Sequence, residues 1–210
     1  MKAGITGTSH LNESYIMNKG VSFAAACGAF SLLLTTVALA VSVLLPPGAS
    51  LPVPATTAAT EPVLDGVVIH DALLPFTIRG VTGAPLCMGQ LQDRVVRSNR
   101  TGLLDFYYAI RSTNGPGSIA RIVAGSYGKL ELRVAYRTDG LGTVPPRVAA
   151  RSGPGPLVAF QFTDPPLSCA RHQESRFMLL EAPVKAYIAG GATQIVATTG
   201  ASTVVHTVEP

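Results

Sequence analysis

Tryptophan is absent from this chain, cysteine occurs three times, and charged side chains make up 13% of its 210 residues. Without tryptophan, and with few other aromatic residues, a glycan-stacking platform has little material. Three cysteines are too few for a Cys-rich zinc site, and no two share a segment at ligand spacing. The serines lack a G-x-S-x-G elbow, so nothing marks one as a nucleophile. Beyond residue 50 there are 14 basic residues, 12 of them Arg, against 11 acidic. The arginines are spread from Arg79 to Arg176 rather than clustered, which argues against a nucleic-acid partner. No window after residue 64 holds a helical apolar stripe.

One long apolar run is present. Val21–Leu45 carries no charge and exceeds the roughly 20 residues that a helix needs to cross a bilayer. Lys2 and Lys19 precede it, and no Lys or Arg follows until Arg79. By the positive-inside rule residues 1–20 stay cytoplasmic and the remainder is exported. Residues 21–45 then read as a signal-peptide apolar region or as a retained anchor holding the chain in the membrane. Two bonds offer small residues at −3 and −1 for cleavage: before Leu51, after Gly48-Ala49-Ser50, and before Val41, after Ala38-Leu39-Ala40. Cys27 reads as a small residue within the apolar run.

Residues 46–63 hold five prolines and a Thr/Ala run with one charge, a linker composition. The exported domain is therefore expected over 64–210. There, short apolar runs alternate with polar residues at period two. Leu130, Leu132, Val134 and Tyr136 form one set, Phe106, Tyr108 and Ile110 a second, and Val158, Phe160 and Phe162 a third. Further strands are expected at 66–70, 76–81, 90–97, 119–123, 176–181, 186–189, 194–198 and 203–207. Turns rich in Gly, Pro, Asn and Asp separate them. This pattern predicts an all-β protein, an antiparallel β-sandwich in preference to a barrel.

An exported chain with Cys87 and Cys169 invites a disulfide between them. No catalytic residue and no cofactor is assigned. A metal site from His70, His172 and Glu174 or Asp71 is chemically sensible, and it defines an alternative reading as a metal-binding protein or hydrolase. A second alternative is a glycan or polyanion module. It would use an anion-binding face of Arg111, Arg133 and Arg137, with Tyr107, Tyr127 and Tyr187 turned outward. The principal reading is an exported structural or interaction domain with an extracytoplasmic protein or glycan partner. Asn99-Arg-Thr101 is a glycosylation sequon in an exported loop, relevant in a eukaryotic secretory route.

Gly102–Ile110 (GLLDFYYAI), Val134–Gly140 (VAYRTDG), Val158–Phe162 (VAFQF) and Ser175–Leu180 (SRFMLL) form an ordered series. In this the chain resembles uncharacterised bacterial exported proteins, many with a PEP-type C-terminal sorting signal. The resemblance covers roughly Gln90 to Val205 and implies a β-sandwich and an export route, but no active site. The sorting signal does not carry over, because Val208-Glu-Pro210 follows without an apolar helix or basic tail.

Overall fold

Alternation at period two sends successive side chains to opposite faces of a sheet, and here it sorts the chain into two layers. The computed structural model describes residues 41–210. Among them the strands are β1 (Val43–Leu44), β2 (Ser50–Pro52), β3 (Ala55–Thr56), β4 (Gly66–Arg79), β5 (Pro85–Ser98), β6 (Leu104–Asn114) and β7 (Ser118–Ala124). They continue with β8 (Arg133–Arg137), β9 (Val148–Arg151), β10 (Val158–Gln161), β11 (Leu167–Ser168), β12 (Met178–Ala182), β13 (Ile188–Ala197) and β14 (Ser202–Glu209). A single 3-10 turn, Pro62–Leu64, is the sole helical element among the described residues.

The first sheet has the order β1-β8-β12-β6-β5-β4, with β3 parallel to β8. The second runs β14-β13-β7-β10-β9-β2, with β11 beside β7. All pairings except β3–β8 are antiparallel, and neither sheet closes into a barrel. The protein is an antiparallel β-sandwich. Phe106, Tyr108 and Ile110 of β6 face inward as their alternation predicts, with Val134 of β8 and Leu180 of β12. Ile122 of β7, Phe160 of β10 and Ile195 of β13 belong to the same core. Each such side chain, fully buried, contributes about 1.5–3 kcal/mol.

Three expectations need correction. The supposed linker over 46–63 is part of the sandwich: β2 pairs with β9, β3 pairs with β8, and Val53 is in the core. Pro52 fits because β2 is an edge strand, where a residue without N–H is tolerated, and the other four prolines lie outside the strands. The last residues of the apolar run, Val43–Leu45, belong to the sandwich as well. Val43 and Leu44 pair with Val134 and Arg133, and Leu45 is fully buried in the core. The domain thus includes residues 41–63, not only 64–210. The expected segments 1–20 and 21–40, with Cys27, lie outside the described residues. No helix among the described residues is long and apolar enough to cross a membrane. Finally, the strands expected at 66–70 and 76–81 are one strand, β4, which carries Pro75 because it too is an edge.

The outer face of the first sheet is not simply wet. Leu64, Val96, Tyr107, Ala109, Ala135, Phe177 and Leu179 form a second, smaller apolar cluster there. The 3-10 turn lies over it, with Ser98 Oγ donating to the Val63 carbonyl at 2.6 Å and the Asn99 N–H to the Asp65 carbonyl at 2.9 Å. β6 is consequently buried on both faces.

Candidate functional site

The histidines are separated by the fold. His70 lies on β4 with Nε2 3.5 Å from Asp93 Oδ2, its ring 5.6 Å from that of Tyr187. Asp93 is almost wholly buried, and its Oδ2 accepts the Val208 N–H at 2.9 Å. Burial pushes the Asp93 carboxyl up, against the pull of that N–H and of His70. His172 sits beyond β11, with Nδ1 2.8 Å from the Thr113 carbonyl. Glu174 accepts the Ser112 N–H at 2.9 Å and stands 3.6 Å from Arg111 Nη1. Register places His70 in line with Val95 and Phe106. From Phe106 to Thr113 along β6 is roughly 23 Å at about 3.3 Å per residue. The expected metal set of His70, His172 and Glu174 is therefore not assembled. Asp71 is held instead by Arg94 at 2.7 Å, which keeps its carboxyl below the ordinary range. No group of three His, Cys, Asp or Glu side chains arranged to hold a metal occurs among the described residues.

The arginine face also needs correction. Arg111 is 5% exposed, donating from Nε to Gln92 and from Nη1 to the Ser175 carbonyl. The Arg94 and Arg111 guanidiniums lie 4.9 and 4.6 Å from the Phe177 ring centroid, a cation–π arrangement. Arg137 grips both oxygens of Asp139 at 2.7 Å and reaches the Tyr107 hydroxyl at 3.2 Å. Arg133 donates from Nε to Ser42 Oγ at 3.0 Å and from Nη2 to the Ser42 carbonyl. All three expected arginines are engaged with the protein's own acceptors, so they do not form an open anion-binding face. The tyrosines follow suit. Tyr127 is fully buried, with its hydroxyl 2.8 Å from that of Tyr108, and Tyr107 is covered at 3% exposure. Tyr187 alone of the three is partly exposed.

Two hollows remain on the outer face of the first sheet. One, of about 240 Å³, is lined by Arg94, Tyr107, Arg137, Asp139 and Phe177. The other, of about 360 Å³, is lined by Val63, Leu103, Asp105, Glu131, Arg133 and Glu181. The turn separates them: Val63 borders the larger and Leu64 the smaller.

The larger hollow has a feature that sequence reading missed. Asp105 is 5% exposed, and its carboxyl is pushed up to about 8 by burial and then by Glu181 and Glu61. Burial raises Glu181 as well. Asp105 Oδ2 and Glu181 Oε1 are buried without a hydrogen-bond partner among the described residues. Glu61, by contrast, is well held, accepting from the Ser42 N–H, the Ser42 hydroxyl and the Thr56 hydroxyl at 3.0, 2.6 and 3.0 Å. Each acid lies in a different stretch of sequence: strand register sets Asp105 opposite Glu181, and hydrogen bonds from Ser42 and Thr56 fix Glu61.

Comparison with known proteins finds no matching family model, no matching curated protein and no matching solved structure.

Proposed function

We propose that this chain works outside the cytoplasm as a structural or interaction domain, presenting the outer face of its first sheet to a protein or glycan. The observation that carries the reading is the Cys87–Cys169 disulfide. Cys87 belongs to β5 of the first sheet, and Cys169 directly follows β11 of the second. Their Cα atoms are 5.8 Å apart and both residues are fully buried, so the bond ties the two layers together. Such a structural disulfide persists in oxidising compartments and is rare in the reducing cytoplasm. The uncharged run before the domain, and the likeness to exported bacterial β-sandwich proteins, support the same route.

The two hollows on that face support an interaction role. A polyanion is disfavoured as partner because Arg111, Arg133 and Arg137 already have internal acceptors. A hydrolase or metal protein built on His70 and His172 is disfavoured by their separation.

The test is thiol labelling of native protein with a membrane-impermeant alkylating reagent before and after reduction, read by intact mass alongside cell fractionation. The expected result is an extracytoplasmic protein whose two domain cysteines label only after reduction. Reduction should lower stability by about 4 kcal/mol in the chain-entropy model. Free thiols in native protein confined to the cytoplasm would overturn the proposal.

A further inference from the structure

A clamped serine stands near the start of the described residues. Ser42 is 2% exposed, and Glu61 accepts both its N–H and its hydroxyl. Arg133 fixes the hydroxyl and carbonyl from the other side. Val41, 41% exposed, precedes this fixed point. Bond lengths put its nitrogen within about 7 Å of the Glu61 carboxylate.

The surroundings are acidic. Glu61, Asp105 and Glu181 act on one another electrostatically, with Arg133 and Arg137 as the opposing charges. Arg137 is already occupied by both oxygens of Asp139. Two of the cluster's buried carboxyl oxygens have no donor among the described residues. A further cation here would be attracted by the ionised carboxylates, and by Asp105 as it gives up its proton near pH 8.

The sequence supplies one if the chain is cut. Ala38-Leu39-Ala40 places alanine at −3 and −1 of the Ala40–Val41 bond, the pattern that a signal peptidase accepts. The other bond with small flanking residues, before Leu51, lies inside β2, where Leu51 pairs with Ala149. Cleavage there would detach β1, remove Leu45 from the core and take Ser42 from Glu61. A cut before Val41 leaves every one of these contacts in place.

We infer that the chain is processed between Ala40 and Val41, and that the new α-ammonium of Val41 docks against the Glu61–Asp105–Glu181 carboxyl cluster. This rests on the export reading. The step is hydrolysis of one amide bond. Water adds across it, leaving a carboxylate on Ala40 and an ammonium on Val41, with a signal-peptidase-class hydrolase as catalyst. The exported domain then sets its first residue against its own acidic cluster, and the uncut chain lacks that charge.

The experiment expresses the full chain in an exporting host and determines the N-terminal residue of the purified protein. Reductive methylation with ¹³C-formaldehyde then follows titration of its α-amine by NMR. The expected protein starts at Val41, and its amine titrates about one pH unit above the ordinary range near 8. In Glu61→Gln and in Glu181→Gln the amine returns to the ordinary range. Glu181→Gln, which leaves the hydrogen bonds of Glu61 and Arg133 to Ser42 in place, carries the comparison if Glu61→Gln does not accumulate. An oxidised, exported protein that starts elsewhere, or a Val41 amine with ordinary titration in the wild type, overturns this inference and leaves export standing. An uncut protein with free thiols in the cytoplasm overturns both.

Discussion

Asp105 of β6 and Glu181 of β12 stand directly opposite each other in register, and Glu181 is in turn opposite Arg133 of β8. Two carboxyls so placed repel when both are ionised. Asp105 avoids this by keeping its proton to about pH 8, chiefly because it is buried.

That placement predicts an unusual pH dependence. A carboxyl raised on folding binds a proton in the native state that the unfolded chain has lost. Its contribution is full below the ordinary range near 4 and declines as pH climbs toward 8. Thermal melts from pH 4 to 8 should show stability falling with pH. Asp105→Asn should flatten that slope and gain on the order of 2 kcal/mol at pH 8. The slope should be steeper in a chain retaining residues 1–40 than in one starting at Val41. An unchanged slope in Asp105→Asn would remove Asp105 as its source.

Arg151 is expected to be indispensable to folding although no carboxylate among the described residues holds it. It is 4% exposed and donates to the carbonyls of Gly155, Leu45, Gly128 and Leu130 at 2.9, 3.0, 3.1 and 2.8 Å. Gly155 has φ +95°, and a Cβ there would strike the Gly128 carbonyl, so glycine is required beside the guanidinium. Arg151→Met leaves four carbonyls without their donor and should cost about 3 kcal/mol or more in urea unfolding. Arg151→Lys should recover only part of that, because an ammonium cannot span the same four acceptors. Equal stability of Lys and Arg at this position would refute the account.

The Tyr108–Tyr127 hydroxyl pair, 2.8 Å apart within the core, makes a prediction about coupling. Either single Phe substitution strands a buried hydroxyl and should cost about 1–2 kcal/mol. The double substitution should cost less than the sum, because it removes both polar groups together. Additive effects in a double-mutant cycle would show that the hydroxyls do not depend on each other.

Much of the architecture was legible because alternation at period two reports directly which residues a strand buries. Phe106, Tyr108, Ile110, Val158 and Phe160 faced inward as expected, and Cys87 and Cys169 proved to be partners. Residues 43–64 were not legible in the same way. Their strands are too short to show a period, and their prolines resemble those of a linker. The buried apolar residues there, Leu45, Val53 and Leu64, gain meaning only from what they pack against.

The candidate chemistry followed the same division. Composition could place His70, His172 and three arginines on a list of polar residues. It held no information on the distance from β4 to the far end of β6, or on the carbonyls and carboxylates that would claim each guanidinium. The sequence by itself determined an all-β domain and a candidate cysteine pair, because strand periodicity depends on residue type and local spacing and the domain holds just two cysteines. Tertiary structure decided that residues 43–63 belong to the sandwich, which arginines are occupied, and that Asp105, Glu181 and Glu61 form one acidic cluster. Those are questions of register between strands distant in sequence, and register is set by the packing of the whole sandwich.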